Sequence, residues 1–176
     1  MIIDAATAAD LPTLHALVES AYRGDSARGG WTHEADLLGG QRTDLAALAD
    51  QIKDPAQTIL VARDGAALVS CVAIADRGGG TAYIGLVTVD PERQASGLGR
   101  QLLIAAEEHA TQYFTADRAE MTVISLRTEL IAWYQRRGYA LTGETRPFPA
   151  ADPRFGLPQR GDLGFVVMAK VLAPQR

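Results

Sequence analysis

The chain has a single cysteine, Cys71. That excludes an internal disulfide and a cysteine-rich zinc site, and leaves nothing that points to secretion. Cys71 sits in an apolar run and reads as a buried structural thiol rather than a nucleophile. A basic excess is also missing: 17 Lys and Arg against 21 Asp and Glu give a formal net charge of -4, which argues against nucleic acid as a partner. No run reaches the roughly 18 apolar residues of a membrane span, and no basic segment followed by an apolar stretch opens the sequence, so the expectation is no membrane and a cytoplasmic setting. Internal repeats, low-complexity tracts and charge blocks are absent, and no linker divides the 176 residues. One domain, 1–176, is expected, with no metal required to hold it. What the chain does have is 47% hydrophobic residues, enough for a real core, and 17 glycines.

Those glycines punctuate the secondary structure. Leu11, Leu14, Val18 and Ala21 fall on one helical face, with Thr7 or Asp10 as the cap. Leu45, Leu48 and Ile52 make a second helix, stopped by Asp54-Pro55. Residues 59–63, 66–76 and 81–89 are β-rich runs separated by Asp64-Gly65 and by Gly78-Gly79-Gly80, the punctuation of antiparallel hairpins. Leu98, Leu102, Ala105 or Ala106, His109 and Tyr113 recur at helical spacing, and His109 reads as a packed or edge histidine. A strand at 119–124, a helix at 127–137 ended by Gly138, and strands at 139–145 and 164–171 complete the order. Two irregular segments stand out. Residues 22–43 interleave glycine with Arg23, Trp31, His33 and Glu34, and residues 146–163 carry four prolines. Both suit loops over a pocket.

At residues 87–103 a strand, a glycine turn and a helix follow one another, with Gly97 and Gly99 at the turn. Glycines at a helix start let backbone N–H groups approach an anion, which the helix dipole also favours. A P-loop would need Lys and then Ser or Thr after the second glycine, where Arg100 and Gln101 stand; a dinucleotide fingerprint needs a third glycine where Leu102 stands.

Gln94-Ala95-Ser96-Gly97-Leu98-Gly99, preceded by Val87-Thr88-Val89-Asp90-Pro91, resembles the signature of the GCN5-related N-acetyltransferases: Gln or Arg, two residues, Gly, one residue, Gly or Ala. Tyr134-Gln135-Arg136-Arg137-Gly138-Tyr139 is similar to the family's second landmark. The resemblance implies an α/β (mixed α+β) acyl-CoA N-acyltransferase fold: a mostly antiparallel mixed sheet of about six to seven strands, flanked by about four helices. It implies acetyl-CoA as cosubstrate, with no metal, and transfer of the acetyl group to a primary amine of a small or amino-acid-like acceptor. It also implies the residue roles. Amides of Gln94, Ala95, Ser96, Gly97, Leu98, Gly99 and Arg100 would hold the pyrophosphate. The backbone of Val87, Thr88 and Val89 would pair with the pantetheine, and Arg127 would stand at a cofactor-contact position where members often carry asparagine. Tyr134 would be the general acid.

The proton acceptor for the amine departs from the family pattern, since Thr122 occupies the position of a frequent carboxylate. Glu34 or Glu120, acting through water, are the candidates chosen, beside Asp36, His33 and Glu129. Arg23, Trp31, His33 and Glu34 are the expected acceptor-binding residues, and the several arginines allow a carboxylate-bearing amine. A homodimer is possible. Two other readings stay open: a CoA-binding sensor or interaction module without turnover, and acetylation of a protein N-terminus or lysine.

Overall fold

The computed structural model of the chain describes residues 1–30, 35–149, 153 and 156–173. In chain order the elements are β1 (Ile2–Ala5), a 3-10 turn (Ala8–Asp10), α1 (Leu11–Tyr22), α2 (Gly24–Arg28), β2 (Leu38–Gly39), α3 (Leu45–Lys53), β3 (Gln57–Asp64), β4 (Ala67–Asp76) and β5 (Thr81–Val89). A second 3-10 turn (Pro91–Arg93) follows, then α4 (Leu98–Tyr113), β6 (Arg118–Ile124), α5 (Thr128–Gln135), β7 (Ala140–Pro147), β8 (Leu157–Pro158) and β9 (Gly164–Val171). Five α-helices are thus described where about four were expected; α2, inside the glycine-rich segment, has too few turns to show a periodic face. Seven strands form one sheet in the order β1-β3-β4-β5-β6-β9-β7, as the mixed sheet was expected to be, and β2 and β8 form a separate two-stranded sheet.

Of the two proposed caps, Asp10 stands at the N-cap position of α1, with no side-chain hydrogen bond into that helix, and Thr7 stands at the N-cap position of the preceding 3-10 turn. Asp10 Oδ2 accepts from the Thr7 backbone at 2.8 Å and closes the 3-10 turn. Its carboxylate also takes two hydrogen bonds from Arg63 on β3, at 2.9 and 3.0 Å. The turn is thereby fastened to the sheet.

The sheet is covered on both faces. On β4, Val72 and Ile74 point to one side and Cys71 and Ala73 to the other, as strand alternation requires. The first side receives α4 through Leu102, Leu103, Ala106 and Ala110, and the second receives α1 and α3 through Leu14, Val18 and Leu48. Tyr113, expected on the buried face of α4, is instead 70% exposed and stacks on His109, ring centroids 4.4 Å apart. The helix meets a broad sheet, so its buried stripe runs through Leu103 and Ala110 rather than along a single row. His109 is an edge histidine: its Nε2 lies 3.0 Å from Thr58 Oγ1, and burial pushes its pKa down. Cys71 is fully buried, and desolvation pushes its thiol up to about 12. None of the described helices is long and apolar enough to cross a membrane.

The site depends on one junction in the sheet. β1, β3, β4 and β5 pair antiparallel, as do β6, β9 and β7; the two groups are joined by a single parallel pairing, β5 with β6. That pairing covers only Thr81, Ala82 and Tyr83 opposite Arg118, Ala119 and Glu120. Beyond it the strands part toward their carboxyl ends, where open α/β sheets bind ligands.

Candidate active site

One side of the candidate site is built by an irregularity in β5. Ala73 pairs with Gly85 and Cys71 with Thr88, so Val72 alone faces both Leu86 and Val87, and Leu86 takes φ 54°. A leucine in that conformation is strained, and such bulges re-aim the backbone beside functional sites. Past Tyr83 no strand among the described residues lies against the β6-facing edge of β5, so its backbone borders a cleft. Val89 leads into Asp90, whose carboxylate accepts from Glu92 N at 3.1 Å and sets the turn. The chain then passes through Ala95 (φ 67°) and Gly97 (φ 85°) into α4.

A β-carbon placed on Gly97 would have nothing within 4 Å: the turn faces open space at the positive end of a 16-residue helix. At Gly99 a β-carbon would meet Trp133 and Val89 at 3.5 Å, ordinary contact that alanine satisfies and a larger side chain does not.

This cleft, about 280 Å³, is lined by Val87, Thr88, Val89, Gln94, Ala95, Gly97, Leu98, Gly99, Arg100 and Arg127. Ser96 is the expected cofactor residue missing from the wall; its hydroxyl turns back to donate to Arg93 O at 2.6 Å. Arg127 occupies the N-cap position of α5, and its side chain contributes to the wall. Six wall residues went unpredicted, Ala21, Tyr22, Arg93, Leu130, Trp133 and Arg137, and three of them bear on the site. Tyr22 donates from its hydroxyl to Val87 O at 2.6 Å and ties the end of α1 to the bulged strand. Arg137 lies over the Trp133 ring, 3.4 Å from its centroid, and both line the cleft. Arg137 sits inside the Tyr134-to-Tyr139 motif, so the signal was in the sequence; Tyr22 carried none beyond ending a helix.

A second cavity, about 440 Å³, is lined in part from β4, β5, β6 and α5. Tyr22, Val87, Arg127, Leu130 and Tyr134 belong to the walls of both spaces. Tyr134 is 5% exposed and packs edge-on against Trp133 and Tyr139. Burial raises its pKa well above the ordinary phenol value, helped by the neighbouring Tyr22, while Arg127 and Arg137 pull the other way. Its proton is therefore retained at neutral pH. Tyr139 is fixed from below, donating to Glu107 Oε1 at 3.0 Å, with Lys170 bound to the other carboxylate oxygen at 2.7 Å.

Of the remaining expected site residues, Arg23 is buried on the wall of the second cavity. Trp31, His33 and Glu34 lie outside the described residues. Glu120 does not reach either space: Arg146 holds its carboxylate at 2.8 Å, with Arg118 at 3.8 Å. Two residues on, Thr122 does line the second cavity, its hydroxyl 2.6 Å from that of Tyr83. Asp36 pairs with Arg28 at 3.1 Å and is on neither wall, and Glu129 is exposed in the first turn of α5. Among the described residues, no group of three or more His, Cys, Asp and Glu side chains gathers as a metal site would require.

A search of curated protein sequences finds no match. Solved structures do match over nearly the whole chain. Ribosomal-protein-alanine N-acetyltransferase from Brucella melitensis superposes with a TM-score of 0.71 at 21% identity, covering 98% of this chain and 100% of that one. The protein yncA from Salmonella typhimurium, solved with its cofactor acetyl-CoA, gives 0.71 at 16% identity, covering 100% and 96%. A mutant of the spermidine N-acetyltransferase SpeG from Vibrio cholerae gives 0.68 at 16% identity, covering 98% and 95%. At these identities the likeness is one of fold. The sequence itself matches the family model described as Acetyltransferase (GNAT) family across residues 16–139, a span that runs from the middle of α1 through the glycine turn to Tyr139, and the chain belongs to that family.

Proposed function

We propose that this chain is an N-acetyltransferase that moves the acetyl group of acetyl-CoA onto a primary amine of a small or amino-acid-like acceptor by direct attack. The observation that carries this reading is the meeting of two cavities at a shared wall containing a protonated phenol, Tyr134. One space suits a phosphorylated, extended donor and the other an acceptor, and the wall between them is where the two must react.

The residues fit acetyl-CoA. The turn from Gln94 to Arg100 presents backbone N–H groups at a helix start, and the open space over Gly97 accommodates a phosphate. The open edge of β5 offers its backbone to an extended pantetheine, much as a sheet edge takes an added strand. Bound there, acetyl-CoA supplies an acetyl thioester to the attacking amine. Val87, held by Tyr22, positions the backbone beside the carbonyl, where an N–H donor stabilises developing negative charge. Tyr134 keeps its proton on Oη until the C–S bond breaks and charge builds on the departing sulfur, then donates it, while the attacking amine gives up its own proton to water.

One observation favours the alternative of a CoA-binding module without turnover: Glu120 is engaged by arginines, and the next position on that face is Thr122. The Tyr134→Phe variant separates the two. It is expected to keep the rise in Tm that CoA produces, and to lose about 100-fold or more in thiol release from acetyl-CoA with a reactive amine. Unchanged turnover removes Tyr134 as the acid, and no release from the wild-type protein with any amine rules out transfer.

A further inference from the structure

We infer that the hydroxyls of Tyr83 and Thr122 seat the acceptor's amine, each accepting a hydrogen bond from one of its N–H groups, and so select primary over N-methylated amines. This rests on the transfer reaction proposed above and names the residues that hold its nucleophile.

The two side chains meet where the ladder between β5 and β6 ends. Its last pair is Tyr83 opposite Glu120, and Thr122 is the next residue of β6 on the same face. Tyr83 reaches Thr122 by lying forward along its own strand. A β-carbon on Gly85 would stand 3.0 Å from Tyr83 Cε1, tighter than ordinary contact, so the missing side chain is what gives the ring its place. Arg77 covers the ring, its guanidinium 5.0 Å from the centroid. In this posture the phenol oxygen stands 2.6 Å from Thr122 Oγ1.

The pair has capacity left over. Each hydroxyl carries one proton and two lone pairs, and the bond between them uses one of each, whichever oxygen donates. One O–H and up to three lone pairs remain, and neither hydroxyl has another partner among the described residues. Both residues line the 440 Å³ cavity, on a wall shared with Val87 and Tyr134. A tie between strands needs only the one bond. A pair rich in acceptors, beside the residues of the proposed reaction, suits a group rich in N–H donors.

A primary amine fits that pair. Its attacking form has two N–H groups and one lone pair on nitrogen; with one N–H on each oxygen, the lone pair is left to face the thioester carbonyl. A neutral hydroxyl does not keep a second proton, so the pair orients the nucleophile and the proton released on attack still passes to water. A secondary amine has one N–H and leaves one oxygen without its donor, a loss in a half-buried site.

The test measures thiol release from acetyl-CoA by the full chain for a panel of amino acids and simple alkyl amines, each beside its N-methyl counterpart. For the best primary amine, wild-type kcat/KM is expected to exceed that of the N-methyl form by about ten-fold, the worth of one hydrogen bond. Thr122→Val and Tyr83→Phe each remove one oxygen and almost no volume. Each should erase most of that ratio by slowing the primary amine and sparing the N-methyl one, and Thr122→Ser should restore it. A role confined to tying β5 to β6 would instead lower Tm and slow both amines alike. A CoA-induced rise in Tm verifies that each variant is folded, and the two substitutions lie on different strands, so loss of one variant to misfolding leaves the other. A wild-type protein that does not distinguish the paired amines, or a ratio unmoved in both variants, overturns the seat and leaves transfer standing. No release with any amine overturns both.

Discussion

Gly97 allows charge and shape to be tested apart. Its φ of 85° disfavours any side chain, and a β-carbon there would enter empty space. Asn and Asp tolerate this backbone region better than other residues and are nearly the same shape. Gly97→Asn and Gly97→Asp should therefore carry the same conformational penalty, about 1 kcal/mol, which lowers Tm by roughly 2–4 °C in a domain of this size. Without ligand, the aspartate variant should be the more stable of the two, because its carboxylate sits at the N-terminus of α4 beside Arg93 and Arg100. With CoA the order should reverse. A carboxylate about 5 Å from a phosphate at an effective dielectric near 20 costs about 3 kcal/mol, roughly a hundred-fold or more in Kd. Thermal shift without ligand and calorimetric titration with CoA give the two orders directly. If the aspartate variant binds CoA as tightly as the asparagine variant, no phosphate lies over Gly97 and the assignment of the turn is wrong.

Three further outcomes follow from groups whose protonation the fold alters. Burial holds the Tyr134 proton above the ordinary phenol range, so kcat/KM for the amine should climb with pH and show no descending limb up to about pH 10; a descending limb centred near pH 9 contradicts a retained proton. Hydrogen bonds from Arg63 lower the Asp10 pKa from 3.8 to about 2, so the stability it adds is present above pH 3.8 and drains away as pH falls toward 2. Asp10→Asn should lower Tm at neutral pH and flatten the acid-side fall, and an unaltered slope between those pH values would show that the contact stores no stability. Cys71, fully buried with its thiol pushed up to about 12, should be silent to Ellman's reagent in the native protein and titrate as one thiol per chain in denaturant; rapid native reaction would place it at the surface.

The sequence disclosed those parts of the fold whose cause is local. Asp64-Gly65 and the glycine triplet delimit β3, β4 and β5 because only such residues turn a chain sharply, and β9 runs from Gly164 to Val171 as its β-branched pattern indicates. The turn before α4 was readable because Gly97 stands where φ is positive. The bulge at Leu86 was not, since a leucine gives no local sign of φ 54° and the neighbouring strands impose it. Nor was the parting of β5 from β6, a tertiary event that no periodicity records. Tyr22 and Arg42 came together through a stacking contact between a helix end and a remote loop. The surroundings of Glu120 were hidden for a subtler reason: alternation identified its face of β6 but not the arginines from β7 and β6 that hold it.

The two-residue sheet of β2 and β8 has a consequence for how the 440 Å³ chamber can change. Leu38 pairs with Pro158 and Gly39 with Leu157, and Gln159 N donates to Leu37 O at 2.8 Å, so the segment before α3 is stitched to the proline-rich segment before β9. Leu38, on the wall of the chamber, is positioned by that stitch. In so short a ladder a residue gained or lost on one side slips the whole pairing and turns Leu38 away. The two loops are therefore tailored as a pair, like facing panels of one garment. The 280 Å³ cleft, hung on β5 and α4, keeps its cut while they are altered.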